Sequence, residues 1–145
     1  MQIIGFNFTK ISGERSSEFK NCPITTNIEL KDIQKEEVPL LAGKEAVKIL
    51  FNYSLLYGEK QEDKEEKQEP LARIDLNGQI VLATTKEEIK EIQKLWKKKK
   101  ISTSTQVPLY NVIMKKTAPK AIQLQDELNL HSHIPLPKVE LKKQE

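Results

Sequence analysis

Arginine is almost missing from this 145-residue chain: Arg15 and Arg73 are the only two, and lysine supplies the rest of its fixed positive charge. Arginine is the planar fork preferred by phosphates and guanine edges, so its scarcity speaks against sequence-specific nucleic-acid reading. Cysteine is rarer still. Cys22 alone cannot form an internal disulfide, and beside Pro23 it reads as an inert thiol. The five glycines are scattered, which excludes a glycine-rich phosphate loop. Neither a G-x-S-x-G elbow nor a C-x-x-C pair is present. No apolar run approaches the ~20 residues that span a membrane. The opening Met1-Gln2-Ile3-Ile4 has neither the basic start nor the long apolar stretch of a signal peptide. A cytoplasmic protein without a membrane span is expected.

Catalytic chemistry is missing too. His131-Ser132-His133 is the one fragment with metal-ligand character. Alternate residues of an extended segment face opposite ways, so these two read as solvent-facing or loop histidines. Nothing pairs two of the acidic residues in a pocket. No enzyme, metal or cofactor is expected.

What is present is an order of elements. Strand-like patterns cover Ile3–Ile11, Ile24–Asp32, Ala46–Tyr57 and Leu71–Ala83, and everything after Thr84 reads as helix or irregular chain. This predicts an α+β fold: a four-stranded antiparallel sheet followed by helices packed on one side. The length predicts a single domain over residues 1–141, with 142–145 a frayed tail. Residues 59–69, EKQEDKEEKQE, have nothing to bury and read as a flexible charged hairpin loop.

Period-two alternation divides each strand. In the first, Ile4, Phe6 and Phe8 share one face, and Ile3, Asn7, Thr9 and Ile11 the other. Residues 12–23 read as a loop on the strength of Gly13, the serines and Pro23. The second strand turns Ile24, Thr26, Ile28 and Leu30 inward. The third lines one face with Val47, Ile49, Phe51, Tyr53, Leu55 and Tyr57, and Leu50 and Leu56 interrupt its small or polar opposite face. The fourth keeps Ala72, Ile74, Leu76, Ile80 and Leu82 in phase across Asn77-Gly78, which reads as a bulge or tight bend.

Thr85-Lys86-Glu87-Glu88 has the T-x-x-E form of a capping box, and Ile89, Ile92, Leu95 and Trp96 follow at helical spacing. Lys97–Lys100 then suit the negative end of the helix dipole as a solvated terminus; a phosphate-binding patch is the alternative. A second helix is expected from near Thr105, with Pro108 in its first turn and Leu109, Val112, Ile113 and Lys116 as its inner stripe. Pro119 begins a fresh turn carrying Ala121, Leu124 and Leu128.

Four strands, then helices, then a proline-bounded segment: this order resembles the SecB-like protein-export chaperones. Residues 2–11, QIIGFNFTKI, are similar to the family's opening strand, and residues 46–54 to its third. Pro108-Leu109-Tyr110-Asn111-Val112-Ile113 resembles the start of its long helix. Residues 133–139, HIPLPKV, resemble its proline-rich crossover. The resemblance implies sheets and helices that pair between subunits in a dimer or tetramer, with apolar grooves that hold unfolded clients. Its groove candidates on this chain are Phe51, Tyr53, Leu55, Trp96, Tyr110, Ile134 and Leu136.

Residue patterns and resemblance together point to an ATP-independent holdase for unfolded or export-competent polypeptides, acting in protein transport as a homo-oligomer. The rival is an RNA- or ribosome-associated protein using the candidate basic patch Lys97, Lys98, Lys99 and Lys100. The strand aromatics sit in the dense apolar phase rather than in an exposed base-stacking string, which disfavours nucleic acid.

Overall fold

A computed structural model describes residues 2–36, 44–58, 70–137 and 139. The proposed loop 59–69 and tail 142–145 lie outside these. The described chain forms β1 (Gln2–Arg15), β2 (Ile24–Glu36), β3 (Lys44–Tyr57), β4 (Ala72–Thr85), α1 (Lys86–Trp96) and α2 (Thr103–Glu127). The four strands make one antiparallel sheet in the order β1-β4-β3-β2, so β1 and β2 are its edges.

Both helices pack on one face of this sheet. The register sets Ile49 opposite Ile80, Tyr53 opposite Leu76 and Leu55 opposite Ile74. Their side chains therefore stand together as aromatic and branched cross-strand neighbours. All six are fully buried beneath the helix layer, as the alternation of β3 and β4 requires.

The edge strands depart from strict alternation. Register shifts between Ile3 and Gly5 and between Phe8 and Lys10 insert extra residues into β1. An inserted residue switches the strand's face assignment. Ile3 and Ile11 thereby join Phe6 and Phe8 on the helix side, opposite Leu82 and Leu76. The sequence pattern alone placed them on the other face. A third shift between Leu30 and Asp32 brings Ile33 to the helix side and into the core.

β1 also runs four residues past Ile11, because Ser12–Arg15 pair with Asp75–Ala72. Non-local pairing overrides the weak strand propensity of Ser12 and Gly13. β4 passes through Asn77-Gly78 without any register shift against β3; the irregularity sits on β1 instead. Gly78 is there because Phe51 lies over it: a Cβ would fall 2.6 Å from Phe51 Cζ and 2.8 Å from the Asn7 carbonyl oxygen.

α1 opens as a capping motif, with the Glu88 N–H donating to Thr85 Oγ1 at 3.3 Å. The Glu88 carboxylate turns to the Thr84 hydroxyl instead of closing the reciprocal half of the box. α2 is a single 25-residue helix through Pro108 and Pro119, not two helical pieces. It starts at Thr103, which puts Pro108 beyond the first turn. Its buried stripe is Thr105, Leu109, Ile113, Thr117, Ala121 and Gln125. Val112 is half-buried and Lys116 is exposed. A spacing of four in a helix of 3.6 residues per turn rotates the stripe by about 40° per step, so the contact line winds round α2.

Candidate functional site

After α2 the chain turns at Asn129, which adopts φ 52°, and Leu130 is drawn into the core as its N–H donates to the Gln125 carbonyl at 2.7 Å. Asparagine tolerates this left-handed conformation better than most residues. Residues 131–133 are then seated on the sheet by polar contacts. The Tyr57 hydroxyl donates to the His131 carbonyl at 2.8 Å and accepts from Gln125 Nε2 at 2.6 Å. Gln125 Oε1 lies 3.2 Å from His133 Nδ1, and His133 Nε2 lies 3.2 Å from the Tyr53 hydroxyl.

The bond directions close without conflict. Because Gln125 spends its Nε2 on Tyr57, its oxygen accepts from His133 Nδ1–H. In the neutral imidazole, the form that burial favours, the other ring nitrogen accepts from the Tyr53 O–H. Burial pushes the His133 pKa below its ordinary value and the Tyr53 phenol up to about 12. Burial raises Tyr57 as well, against the Gln125 hydrogen bond, which favours its ionised form.

His131 sits at the outer end of this network. Its Nε2 donates to the Cys22 carbonyl at 3.1 Å, and its ring meets Tyr57 edge-to-face at 5.1 Å. Phe19 packs against both rings, with the Arg15 guanidinium 5.0 Å above it. The two histidines are in a loop as expected, but His133 is half-buried and bonded rather than solvent-facing. Tyr53, Tyr57 and Gln125 belong to elements distant in sequence, so no local pattern marks them as its partners. Among the described residues, no group of three or more His, Cys, Asp or Glu could hold a metal ion. No described helix is long and apolar enough to cross a membrane.

Beyond the seat, the chain emerges. Ile134 is 37% exposed and Leu136 50%. On α2, Val107 and Met114 are 52% and 40% exposed, flanking the half-buried Tyr110. Ile11, exposed at the β1 edge, faces the same side of the sheet. Of the seven groove candidates, Phe51, Tyr53 and Leu55 are therefore core in this chain, covered completely. Trp96 and Tyr110 pack against that core with part of their surface free, and Ile134 and Leu136 are open.

Trp96 lies apart from the 131–136 segment, in a hollow of about 490 Å³ with Ile33, Lys90, Lys94 and Lys97. Lys97 caps α1, and the N–H groups of Lys98, Lys99 and Lys100 return to the carbonyls of Leu95, Trp96 and Leu95. All four lysines are exposed, and Lys99 Nζ stands 4.7 Å over the Trp96 ring.

The open face of the sheet has a different character. Arg73 is bonded to Asp75, Asn52 to Asn77, and Gln79 donates to Asn7 at 3.0 Å. These residues border or neighbour a polar hollow of about 590 Å³ and largely satisfy one another.

No protein-family description matches the sequence, and no curated protein matches it. Among solved structures, the fold is similar to the SecB-like chaperone of Mycobacterium tuberculosis in complex with a ChAD peptide from the HigA1 antitoxin. The likeness has a TM-score of 0.44 and 16% identity, over 99% of this chain and 92% of that chain.

Proposed function

We propose that this chain is an ATP-independent holdase that binds unfolded or export-competent polypeptides on the helix side of its sheet, as a cytoplasmic homo-oligomer. The observation that carries the reading is an asymmetry. Ile11, Val107, Met114, Ile134 and Leu136 are exposed on the helix side, whereas the open face carries bonded polar pairs with Leu50, Leu56 and Val81 only half-buried among them. Exposed aliphatic side chains gathered on one side are what an apolar partner would cover. Two unpaired strand edges, β1 and β2, add main-chain donors and acceptors that an extended client or a second copy can use. Tyr110, Ile134 and Leu136 are the proposed client contacts, with Trp96 at the far end of the same layer.

The RNA reading is weaker on a specific ground: the Trp96 ring beside the lysine run is already covered by Lys99, which leaves less of it for base stacking.

The test is aggregation of a reduced, unfolded protein followed by light scattering, without nucleotide, at low and near-physiological salt. Suppression should persist in salt, because burial of apolar area is its source, and static scattering should give a mass above the 16.7 kDa monomer. Leu136→Asp should weaken client binding about fivefold, from about 1 kcal/mol for the half of a leucine still open to cover. Replacing Lys97–Lys100 by Gln should leave client binding intact. Tight, salt-sensitive binding of a short RNA with no client protection would overturn the assignment.

A further inference from the structure

We propose that His133 is a proton-released latch: the neutral imidazole holds residues 131–137 on the helix–sheet core, and its protonation frees that segment. The proposal rests on the reading above for its consequence, since Ile134 and Leu136 are proposed client contacts. The latch itself is a property of the chain alone.

The geometry carries it. His133 is gripped from two elements at once, by Tyr53 on β3 and by Gln125 on α2. Every proton in the network is already assigned. Tyr53 donates to Nε2, Nδ1 donates to Gln125, Gln125 donates to Tyr57, and Tyr57 donates to the His131 carbonyl. A second ring proton at Nε2 would point at the Tyr53 oxygen and force that hydroxyl round. Thr117 of α2 stands on that side, and since its own proton goes to the Ile113 carbonyl at 2.7 Å its oxygen can accept the displaced Tyr53 proton.

The cost of protonation lies in the charge. The groups bonded to His133 are Tyr53 from β3 and Gln125 from α2, both uncharged; Tyr57, Thr117 and His131 lie further along the same network. No carboxylate is among them, and burial alone accounts for the lowered pKa. A half-buried cation without a counter-charge is disfavoured relative to one in water, and the imidazolium gains water by leaving. Departure takes the donor from Gln125 Oε1, while the Tyr57 hydroxyl can still donate to the His131 carbonyl, so the segment loosens from His133 outward.

Linkage sets the size and direction. The released segment binds the proton with an ordinary affinity near pH 6.5, the seated one more weakly. Its population therefore rises as pH falls below about 6.5, by at most about tenfold per pH unit for one proton, until the seated-state pKa is passed. This is a local opening, distinct from unfolding of the sheet.

The experiment is amide hydrogen exchange on the full chain at about pH 7.5 and about pH 5.5, each corrected for the intrinsic rate. Protection of the Ile134 amide, which donates to Ser132 Oγ, should fall by up to about tenfold while Leu130, β3 and β4 keep theirs. The His133 ring proton should titrate by NMR with a midpoint below the ordinary imidazole value. His133→Asn, whose amide can still donate to Gln125, should abolish the pH response, and His131→Asn should leave it. A His133 midpoint at the free-imidazole value, unchanged protection, or loss spread over the whole sheet would each overturn the latch. The readout involves no client, so the latch can fail while client binding stands, and client binding can fail while the latch stands.

Discussion

Replacing Tyr57 by phenylalanine removes one oxygen from the centre of the network and nothing else. Tyr57 is fully buried, and its hydroxyl serves two partners: it accepts from Gln125 Nε2 at 2.6 Å and donates to the His131 carbonyl at 2.8 Å. Gln125 is only 2% exposed, so its freed N–H finds no water. Leaving such a donor unpaired costs about 1–3 kcal/mol. The His131 carbonyl belongs to an exposed residue and can turn to solvent, so it adds little. The expected loss is about 2 kcal/mol, or about 4–8 °C in Tm for a domain of this size. Urea unfolding measures it. A cycle with Gln125→Leu isolates the cause: if the unpaired amide is responsible, the double variant should be about 1–2 kcal/mol more stable than the sum of the single losses predicts. A Tyr57→Phe loss under about 0.5 kcal/mol, or strict additivity, would refute the account of the network.

Gly78→Ala should cost about 1–3 kcal/mol, because its Cβ meets the Phe51 ring, itself 5.5 Å from Phe6; thermal unfolding reads this, and Phe51→Leu in the same chain should recover part of it. Burial holds the Tyr53 phenol up to about 12, above its unfolded value. Its contribution is therefore complete below about pH 10 and is lost as pH rises towards 12, and Tyr53→Phe should flatten that part of an alkaline stability profile. His133 works at the other end: with its pKa lowered, its contribution is complete above about pH 6.5 and declines as pH falls through the window down to the folded value. Urea titrations at stepped pH should show a shallower acid decline in His133→Asn than in the parent.

The central strands were legible because one periodicity ran through them unbroken. The inward sets of β3 and β4 are the buried sets observed. The edges were not, because a bulge leaves no mark in composition. Ile3 and Ile11 changed face through extra residues whose positions depend on pairing with β4. The far end of β1 was hidden for a related reason: Gly13 and Ser12 are poor strand formers, and only the partner strand and the approach of Leu128 explain them. In α2 a spacing of four produced a buried line through Thr117 and Gln125, two polar residues that an apolar-stripe reading passes over. Gln125 is the hinge of the candidate site, and its value lies in partners 68 and eight residues away. Of the groove candidates, the exposed pair Ile134 and Leu136 came from the proline-bounded segment. The β3 members Phe51, Tyr53 and Leu55 are fully buried beneath the helix layer.

A polar seat for residues 131–133 differs physically from the greasy one that the rest of the fold uses. β3 and β4 are held by full burial of aromatic and branched side chains, each worth about 1.5–3 kcal/mol. The segment after Leu130 is held by its bonds to Tyr53, Gln125, Tyr57 and Cys22. At a net of about 0.5–1.5 kcal/mol each, these four sum to about 2–6 kcal/mol. That is below or at the lower end of the about 5–15 kcal/mol that holds a whole domain. Detachment is therefore the cheaper excursion, and it leaves the core of β3 and β4 in place. Leu130 marks the boundary: it is buried and tied to Gln125, so the chain comes away beyond it. An attachment of this strength is weak enough to be undone by one proton or by an apolar client competing for Ile134 and Leu136, and strong enough to be made again when either leaves.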